Sequence, residues 1–322
     1  MPLVDVHTHV VPRDFPDGPA DEARWPCMCH GENGHADVVI NNKPFRAIDA
    51  RSWDVNVRID DMGRSGVTRQ VLSPMPELLS YWFKPNHALS MCRYVNHEIA
   101  DMVSRSSTHF SGMGMVPLQD PELAASELTT LKEAGLVAVE VGSNINGHYL
   151  GESKYHEFLA EAARLDLAIF VHALHPVGVD RLSEFPDLVP FAAFPLDTAL
   201  CAMTLIRSGI AERLPQLRIG FSHGGGSVIP LAHRLGKGAE VTDNFDGMLK
   251  KSPFEYARDF YYDNLVYDAG YMSYLEAFAP EHVFCGTDYP YLIMDAEPAD
   301  SIERAGAGDA MRWQAAHAFL NL

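Results

Sequence analysis

The sequence predicts a (β/α)8 barrel, an α/β fold in which eight parallel strands are surrounded by helices. Three observations predict it. Eight short apolar runs of strand length recur along the 322 residues. Amphipathic helical patterns lie between them, and such an alternation is typical of a parallel sheet. Residues of metal-binding or acid-base type follow several of the runs, at the strand ends where barrels place their functional groups.

The strand-like runs are rich in apolar and β-branched residues, as buried parallel strands require. They cover Leu3 to Val10, Val67 to Ser73, Phe110 to Pro117, Leu136 to Ser143, Ala168 to Leu174, Arg218 to His223, Asn264 to Asp268 and His282 to Gly286. A doubly wound sheet is the alternative architecture.

Helical patterns fill the intervals, and residues 11–52 interrupt them. The clearest helical patterns cover Asn86 to Arg105, Pro121 to Glu133, Lys154 to Arg164 and Thr198 to Ile210, and residues 299–322 close the chain as helix. Residues 11–52 are rich in Pro, Gly and Asp, with short alternating runs such as Asp37 to Ile40. We expect one domain of residues 1–322, in which 11–52 form a small β insertion after strand 1 that caps the barrel mouth.

Composition disfavours several classes of partner. The formal charge of −18 disfavours nucleic acid and anionic membranes, which both attract basic surfaces. A small anionic substrate remains compatible, because a few arginines in one place outweigh distant, screened acidic groups. No apolar stretch approaches the roughly 20 residues of a membrane span, and no basic segment leads into a long apolar run at the N-terminus. Five cysteines, an odd number, fit a reducing compartment. We therefore expect a cytoplasmic protein.

Cys27, Cys29, His30 and His35 form a small group that could bind a second, structural zinc ion. The spacing Cys-x-Cys-His is not a usual zinc-finger pattern. Ordinary loop residues are the favoured interpretation of this group.

The strongest chemical signal is His7-Thr8-His9 at the end of the first apolar run. In a strand, residues i and i+2 share one face and lie about 7 Å apart, so two imidazoles can converge on one ion. A packed or exposed pair of histidines is an equally common explanation of this motif by itself. The remaining strand ends decide between the two.

Further residues of the same type follow later strands: His172 ends Ala168 to Val171, and Asp288 follows Val283 to Thr287. Three imidazoles and a carboxylate suit a divalent ion such as Zn²⁺, with a position left for water or substrate. We assign the metal ligands as His7, His9, His172 and Asp288, and Asp288 also as a catalytic residue.

His223 is set apart from the ligands as the acid-base candidate. It ends a strand-like run and precedes Gly224, Gly225 and Gly226, which allow the backbone to approach a ligand closely. An imidazole has an unperturbed pKa near neutrality and therefore suits proton transfer. The glycines lack the following Lys-Ser/Thr of a phosphate-binding loop, and no organic cofactor is predicted.

These motifs resemble the mononuclear branch of the amidohydrolase superfamily, whose fold is a TIM barrel. Dispersed segments resemble the family of aminocarboxymuconate semialdehyde decarboxylases, and the similarity extends from the first strand to the last helix. The segments are Phe45-Arg46, Trp53-Asp54 through Arg58-Ile59, Gly66-Val67-Thr68, Ser80-Tyr81-Trp82 with Lys84-Pro85, and Pro117-Leu118-Gln119.

The resemblance implies a zinc-dependent, oxygen-independent decarboxylase that uses His223 for proton transfer. It implies that Arg46 binds a substrate carboxylate and that Arg234 is contributed by a neighbouring subunit, so a homodimer is expected. From the residues alone, both arginines would be interpreted as surface groups. Co²⁺ and Mn²⁺ can share such ligands with Zn²⁺.

The match weakens around the pocket. The family commonly continues the third ligand as His-Pro-Trp-Asp, whereas His172 leads here into Ala173-Leu174-His175-Pro176, and Tyr291 stands where the family places Phe. We expect Trp82, His175 and Tyr291 to contact the substrate, although a packing or surface role for His175 is equally compatible. The predicted substrate is 2-amino-3-carboxymuconate 6-semialdehyde or a related aromatic or ring-cleavage acid.

Two other functions use the same residues. A hydrolase or hydratase of an aromatic-degradation intermediate would need the same barrel and ligands, since function is not fixed by fold. A non-catalytic metal-binding or small-molecule-binding protein is the other alternative, and a free acid-base candidate at His223 disfavours it.

Overall fold

Eleven strands form two sheets in the computed structural model, which describes residues 1–242, 245 and 249–322. In chain order the strands are β1 (Val4–Val10), β2 (Cys27–His30), β3 (His35–Ile40), β4 (Lys43–Asp49), β5 (Arg69–Pro74), β6 (Phe110–Gly114), β7 (Ala138–Gly142), β8 (Ala168–His172), β9 (Ile219–Phe221), β10 (Tyr261–Asp263) and β11 (Val283–Phe284).

Strands β1 and β5 to β11 form one parallel sheet in the order β1-β5-β6-β7-β8-β9-β10-β11. Its two edges meet. The backbone N–H of Val6 donates to Cys285 O (2.8 Å), and that of His9 donates to Tyr289 O (2.7 Å). These bonds close the sheet into a barrel and confirm the predicted (β/α)8 fold.

Helices follow the barrel strands and cover them from outside. They are α1 (Val55–Ser65), α2 (Pro85–Arg105), α3 (Pro121–Glu133), α4 (His156–Arg164), α5 (Phe194–Arg207), α6 (Ile210–Arg213), α7 (Val228–Val241), α8 (Pro253–Arg258), α9 (Ala269–Phe278), α10 (Pro298–Arg304) and α11 (Ala315–Leu320). The C-terminal helix that we expected over 299–322 is divided into α10 and α11.

Helix α3 shows why these boundaries could be predicted. The side chain of Asp120 accepts a hydrogen bond from Leu123 N and caps the first turn, while Pro121 occupies the first helical position, where no N–H is needed. Gly135 follows the helix with φ +82°, a conformation that favours glycine. The predicted bounds, Pro121 to Glu133, are the observed ones.

The seventh barrel strand was predicted in the wrong place. We expected Asn264 to Asp268, but the strand is Tyr261–Asp263, and Asp268 instead caps α9 by accepting from Tyr271 N. Three residues are too few to show a strand period. The fault matters for the site, because the residue at the true strand end is Asp263.

The region 11–52 contains an antiparallel sheet of β2, β3 and β4. Val38 of β3 is fully buried and lies opposite Arg46 of β4. This register places Phe45 and Arg46 along a large cavity at the carboxyl end of the barrel.

Two groups of apolar residues form the core. The larger lies between the barrel and its helices. The smaller fills the barrel, where Phe319 of α11 packs on Phe284 and Tyr261. Arg218, which precedes β9, donates to the backbone oxygen of Phe319 (2.6 Å), so α11 covers the end where strands begin. The carboxyl ends of the strands remain for function.

One helical stretch, Val189–Arg207, is 19 residues long with a mean hydropathy of 1.6, and it meets the length and composition of a membrane span. We had expected no stretch of that length. It is 44% buried, and core residues of α5 such as Cys201, Leu205 and Ile206 are among its buried positions. Such packing is also found in the core helix of a barrel, so the stretch is weak evidence for a membrane span.

Candidate metal centre and active site

The four predicted ligands meet at the carboxyl end of the barrel. His7 and His9 lie on β1, His172 ends β8, and Asp288 follows β11. One ligand atom from each lies within 4.8 Å of all the others, and all four residues are buried. In the described part of the chain, no other group of three or more such side chains converges in this way.

The spacing of these atoms fits one ion. His7 Nε2 lies 3.1 Å from His9 Nε2, and Asp288 Oδ1 lies 3.1 Å from His9 Nε2 and 3.4 Å from His7 Nε2. Ligand atoms about 2.1 Å from a tetrahedral ion lie about 3.4 Å apart. His172 Nε2 and Asp288 Oδ1 are buried without a hydrogen-bond partner among the described residues. A divalent cation would satisfy both of these atoms.

The outer nitrogens of the three imidazoles are already occupied. His7 Nδ1 pairs with Asp263 Oδ2 (2.7 Å), His9 Nδ1 with Pro74 O (2.9 Å) and His172 Nδ1 with Ala173 O (2.8 Å). Carbonyl oxygens can only accept, so each Nδ1 bonded to one carries a proton. This places the Nε2 lone pair toward the centre, which is the arrangement that metal-binding histidines use.

Charges at the site favour a bound cation. Burial raises the pKa of Asp288, but its contacts with His7 and His9 outweigh burial and hold it well below its ordinary value. Burial lowers the pKa of His7, but Asp263 and Asp288 outweigh it and raise the value to about 10. Burial lowers the pKa of His9 and of His172, which favours their neutral form.

His223 lies beside the ligands and borders the cavity. Its ring centroid is 5.2 Å from that of His172 and 5.5 Å from that of His7. Nδ1 is 2.9 Å from Ser222 Oγ, which leaves Nε2 for proton exchange. Burial lowers the pKa of His223, and the neighbouring His7 lowers it further. The structure therefore places an imidazole next to the metal position, and the lowered pKa favours its neutral form.

The glycines after His223 allow a close approach, but the group that comes close is another part of the protein backbone and not a ligand. A Cβ at Gly226 would lie 1.9 Å from Pro195 O, and the residue has φ +57°. Only glycine fits a position with both constraints. The turn is held from the other side by Asp263, which accepts from the backbone N–H of His223 (2.9 Å) and of Gly224 (2.7 Å).

A cavity of about 970 Å³ opens in front of the site. Arg46 lines it, with its guanidinium carbon 4.3 Å from the centroid of the Tyr291 ring, and no carboxylate pairs with Arg46 in the described part of the chain. Tyr291 stacks on His9, with centroids 5.0 Å apart. Two of the predicted substrate contacts thus lie beside the ligands, and one offers an unneutralised positive charge.

The other predicted contacts are placed differently. His175 lines the cavity, but Trp82 lines an adjacent, smaller one of about 300 Å³. Arg234 is exposed on α7 and does not border the large cavity within the chain. The Cys27 and Cys29 thiols are exposed on β2, and His30 pairs with Asp14.

Three buried polar residues near the ligands were missed in the sequence. Asp263 was hidden by the misplaced seventh strand. Arg58 donates to Thr8 Oγ1 (2.9 Å) and to His9 O (2.9 Å). Glu140 is fully buried on β7, 3.9 Å from His9 Nδ1, and burial raises its pKa to about 8. Its signal was available: a single carboxylate within the apolar run Val-Ala-Val-Glu-Val.

Comparison with known proteins identifies the family of the chain. The sequence model of the family described as Amidohydrolase matches residues 4–317. A 2-amino-3-carboxymuconate-6-semialdehyde decarboxylase of Dictyostelium discoideum is 34% identical over 307 residues, which cover 93% of this chain and 85% of that protein. A gamma-resorcylate decarboxylase of Rhodococcus jostii is 29% identical over 202 residues, covering 58% and 61% of the two chains.

Solved structures show the same fold. The 5-carboxyvanillate decarboxylase of Sphingomonas paucimobilis aligns with a TM-score of 0.80 at 22% identity, covering 100% of this chain and 99% of that one. A dihydroxybenzoic acid decarboxylase of Polaromonas sp. JS666, with bound manganese and 2-nitroresorcinol, aligns with a TM-score of 0.79 at 21% identity, covering 100% and 97%.

The fold and the site together define an amidohydrolase, and the chain belongs to that family. Within it, the chain belongs with the proteins that resemble aminocarboxymuconate semialdehyde decarboxylase. The predicted family and the predicted enzyme class, a metal-dependent carboxy-lyase, are confirmed.

Proposed function

We propose that the protein is a zinc-dependent, non-oxidative decarboxylase of 2-amino-3-carboxymuconate 6-semialdehyde or a closely related aromatic or ring-cleavage acid. The observation that carries the proposal is a centre of three imidazoles and one carboxylate that borders a cavity containing Arg46, whose charge is unpaired among the described residues. The Dictyostelium relative supports the substrate. Zinc is favoured by the ligand set, and manganese in a structural neighbour keeps Mn²⁺ and Co²⁺ as alternatives.

The residues of the chain divide the chemistry among them. A zinc ion held by His7, His9, His172 and Asp288 would act as a Lewis acid toward a substrate oxygen. Arg46 binds a substrate carboxylate by charge-assisted hydrogen bonds and orients the acid. The bond from carbon to the leaving carboxylate breaks, CO2 departs, and the electron pair left on carbon takes a proton from Nε2 of His223, which donates as an imidazolium, returns to the neutral form and is reprotonated from solvent before the next turnover. Tyr291 packs against His9 and limits the space for the substrate beside the ligand.

The replacement His223→Asn tests the role of His223. We expect the variant to keep its zinc but to lose turnover by about a hundredfold or more, because general acid catalysis contributes at that level. The substrate is the freshly generated semialdehyde, whose near-ultraviolet band and CO2 release are followed together, and zinc is measured by mass spectrometry.

His148→Asn is the matched control, since His148 is exposed and pairs with a carboxylate, Glu152, without lining the cavity. A His223→Asn protein with full zinc and near wild-type turnover would remove His223 from the mechanism. Loss of the substrate band without one CO2 per substrate would favour a hydrolase or hydratase instead.

We further propose a cytoplasmic homodimer of single-domain subunits, in which the insertion 11–52 covers the barrel mouth and Arg234 completes the neighbouring site. Apolar side chains exposed between β8 and the end of α5 support a subunit contact; they include Phe185, Phe191 and Leu196. Helix α5 packs on α7, which carries Arg234, so the apolar surface and this arginine lie on adjacent elements.

A further inference from the structure

In the cavity wall, the carboxylate of Glu77 bonds to two side chains, and both of these side chains lie against one indole ring. Glu77 Oε1 accepts from Arg24 (3.0 Å), and Glu77 Oε2 pairs with His175 Nε2 (2.9 Å). The guanidinium carbon of Arg24 lies 3.8 Å from the centroid of the Trp82 ring. The imidazole of His175 stacks on the same indole, with centroids 4.8 Å apart and planes at 15°. We call Arg24, Glu77, Trp82 and His175 the wall cluster.

The wall cluster joins three distant segments at one position. Arg24 lies in the region between β1 and β2, Glu77 and Trp82 follow β5, and His175 follows β8. His175 has φ +42°, which is uncommon for a residue other than glycine and costs free energy. The stacking and the bond to Glu77 hold the imidazole in this conformation. Strained residues tend to cluster at functional sites.

The orientation of His175 leaves one nitrogen available. Its Nε2 is occupied by Glu77, whereas Nδ1 has no hydrogen bond within the described part of the chain. The side chain is 49% exposed, and it lines both the large cavity and the adjacent smaller one. An imidazole in this position can accept from a hydroxyl or, when protonated, donate to a carboxylate.

A buried donor without a partner in the described ranges, the indole N–H of Trp82, lies beside His175. Trp82 lines the smaller cavity, and its Nε1–H is buried without an acceptor among the described residues. An unpaired buried donor costs free energy, so a polar atom of a ligand would gain by pairing with it. The large cavity is otherwise walled here by apolar groups such as Leu174 and Phe194.

We propose that His175, positioned by Glu77, is a specificity-determining residue that binds a second polar substituent of the substrate, distinct from the carboxylate that Arg46 binds. The inference rests on the proposed decarboxylase function and narrows it. The preferred acids carry a carboxylate or hydroxyl elsewhere on the ring or chain, and simple monocarboxylic acids bind less well.

Calorimetric titration of the zinc-loaded protein tests this with unreactive probes. The probes are benzoate, isophthalate, terephthalate, 3-hydroxybenzoate and 4-hydroxybenzoate. At least one disubstituted acid should bind about ten- to a hundredfold more tightly than benzoate, the range of one hydrogen bond to a charged group. Preference for the dicarboxylates indicates a donating imidazole, and preference for the hydroxybenzoates an accepting one.

Variants assign the preference to the wall cluster. In His175→Asn the affinity for the preferred disubstituted acid should fall to within about threefold of the affinity for benzoate, while benzoate binding is unchanged. Asparagine tolerates a positive φ, so the fold is retained. Glu77→Gln keeps one hydrogen-bond acceptor for the imidazole and should reduce the gain by less. His148→Asn, the same replacement at an exposed histidine that also pairs with a carboxylate, should leave it intact.

The outcomes separate this inference from the proposed function. Suppose that the wild type releases CO2 from the semialdehyde. The inference alone would then be overturned if the wild type bound all probes equally, or if His175→Asn kept the full preference for disubstituted acids. A wild type that neither binds benzoate nor releases CO2 would overturn both.

Discussion

Replacing Asp263 by asparagine should weaken metal binding although Asp263 is not a ligand. Its Oδ2 pairs with His7 Nδ1 (2.7 Å) and accepts from His223 N (2.9 Å), while Oδ1 accepts from Gly224 N (2.7 Å) and Leu265 N (3.1 Å). An asparagine side chain has one accepting oxygen and one NH2 group. Two of the four hydrogen bonds are therefore lost in either orientation of the amide, unless His7 moves its proton to restore one of them.

Both orientations are unfavourable. If the NH2 group faces His7, the imidazole has to move its proton from Nδ1 to Nε2, and the Nε2 lone pair is no longer available to an ion. If the NH2 group faces Gly224 and Leu265, two buried backbone donors are left unpaired. Burial by itself raises the pKa of Asp263, but the bond from His7 and the other donors outweigh it and lower the value, so the native group is a carboxylate.

The expected loss in zinc affinity is about ten- to a hundredfold, the usual effect of removing a partner of a ligating histidine. This corresponds to about 1.4 to 2.8 kcal/mol. Loss of two hydrogen bonds to a charged group should lower the free energy of unfolding by about 3 kcal/mol or more.

Zinc affinity is measured by competition with a chromophoric chelator at fixed pH, and stability by urea unfolding of the metal-free protein. Asp60→Asn, which removes the same charge from an exposed position on α1, serves as the control and should match wild type. An Asp263→Asn protein whose zinc affinity is within threefold of wild type would refute the argument that Asp263 fixes the proton on His7.

Two further predictions concern buried charge and assembly. Arg58 is fully buried and donates to four oxygens, which include the backbone oxygen of His9. The replacement Arg58→Met should therefore lower the free energy of unfolding by about 3 kcal/mol or more. A decrease of less than about 1 kcal/mol in urea unfolding would contradict this. If Arg234 completes the neighbouring site, mixing inactive Arg234→Ala and His223→Asn proteins should restore about a quarter of wild-type turnover, because one site in each mixed dimer is intact. Light scattering of a monomer, or no recovery after subunit exchange, would contradict the shared site.

The parts of the fold with local signals could be predicted from the sequence. Strand β1 was located by its apolar run, and the i, i+2 spacing placed His7 and His9 on one face. Helix α3 was located to the residue because Asp120, Pro121 and Gly135 mark its ends. Such features depend on neighbours along the chain, and a single sequence shows them directly.

The residues that were missed depend on distant contacts. Arg58 lies on a helix with the appearance of a surface cation, and it is buried only because strands β1 and β5 bring acceptors to it. Trp82 was expected at the metal cavity, but Arg24 from the insertion and His175 from the region after β8 enclose its ring. The spacing of residues within one segment does not predict such contacts between distant segments.

Because the seventh strand was predicted at the wrong residues, the role of Asp263 in organising the site was not predicted either. One oxygen of this carboxylate binds both the imidazole of His7, a ligand, and the backbone of His223, the proton-transfer candidate. The relative position of the metal and the acid-base group is thus fixed through a single buried atom, and Gly224, the next residue, is bound by the other oxygen. A disturbance of Asp263 moves both partners together. Excess zinc can refill the ligands of the Asp263→Asn protein, but it cannot restore the bond that positions His223, so turnover should remain low at saturating metal.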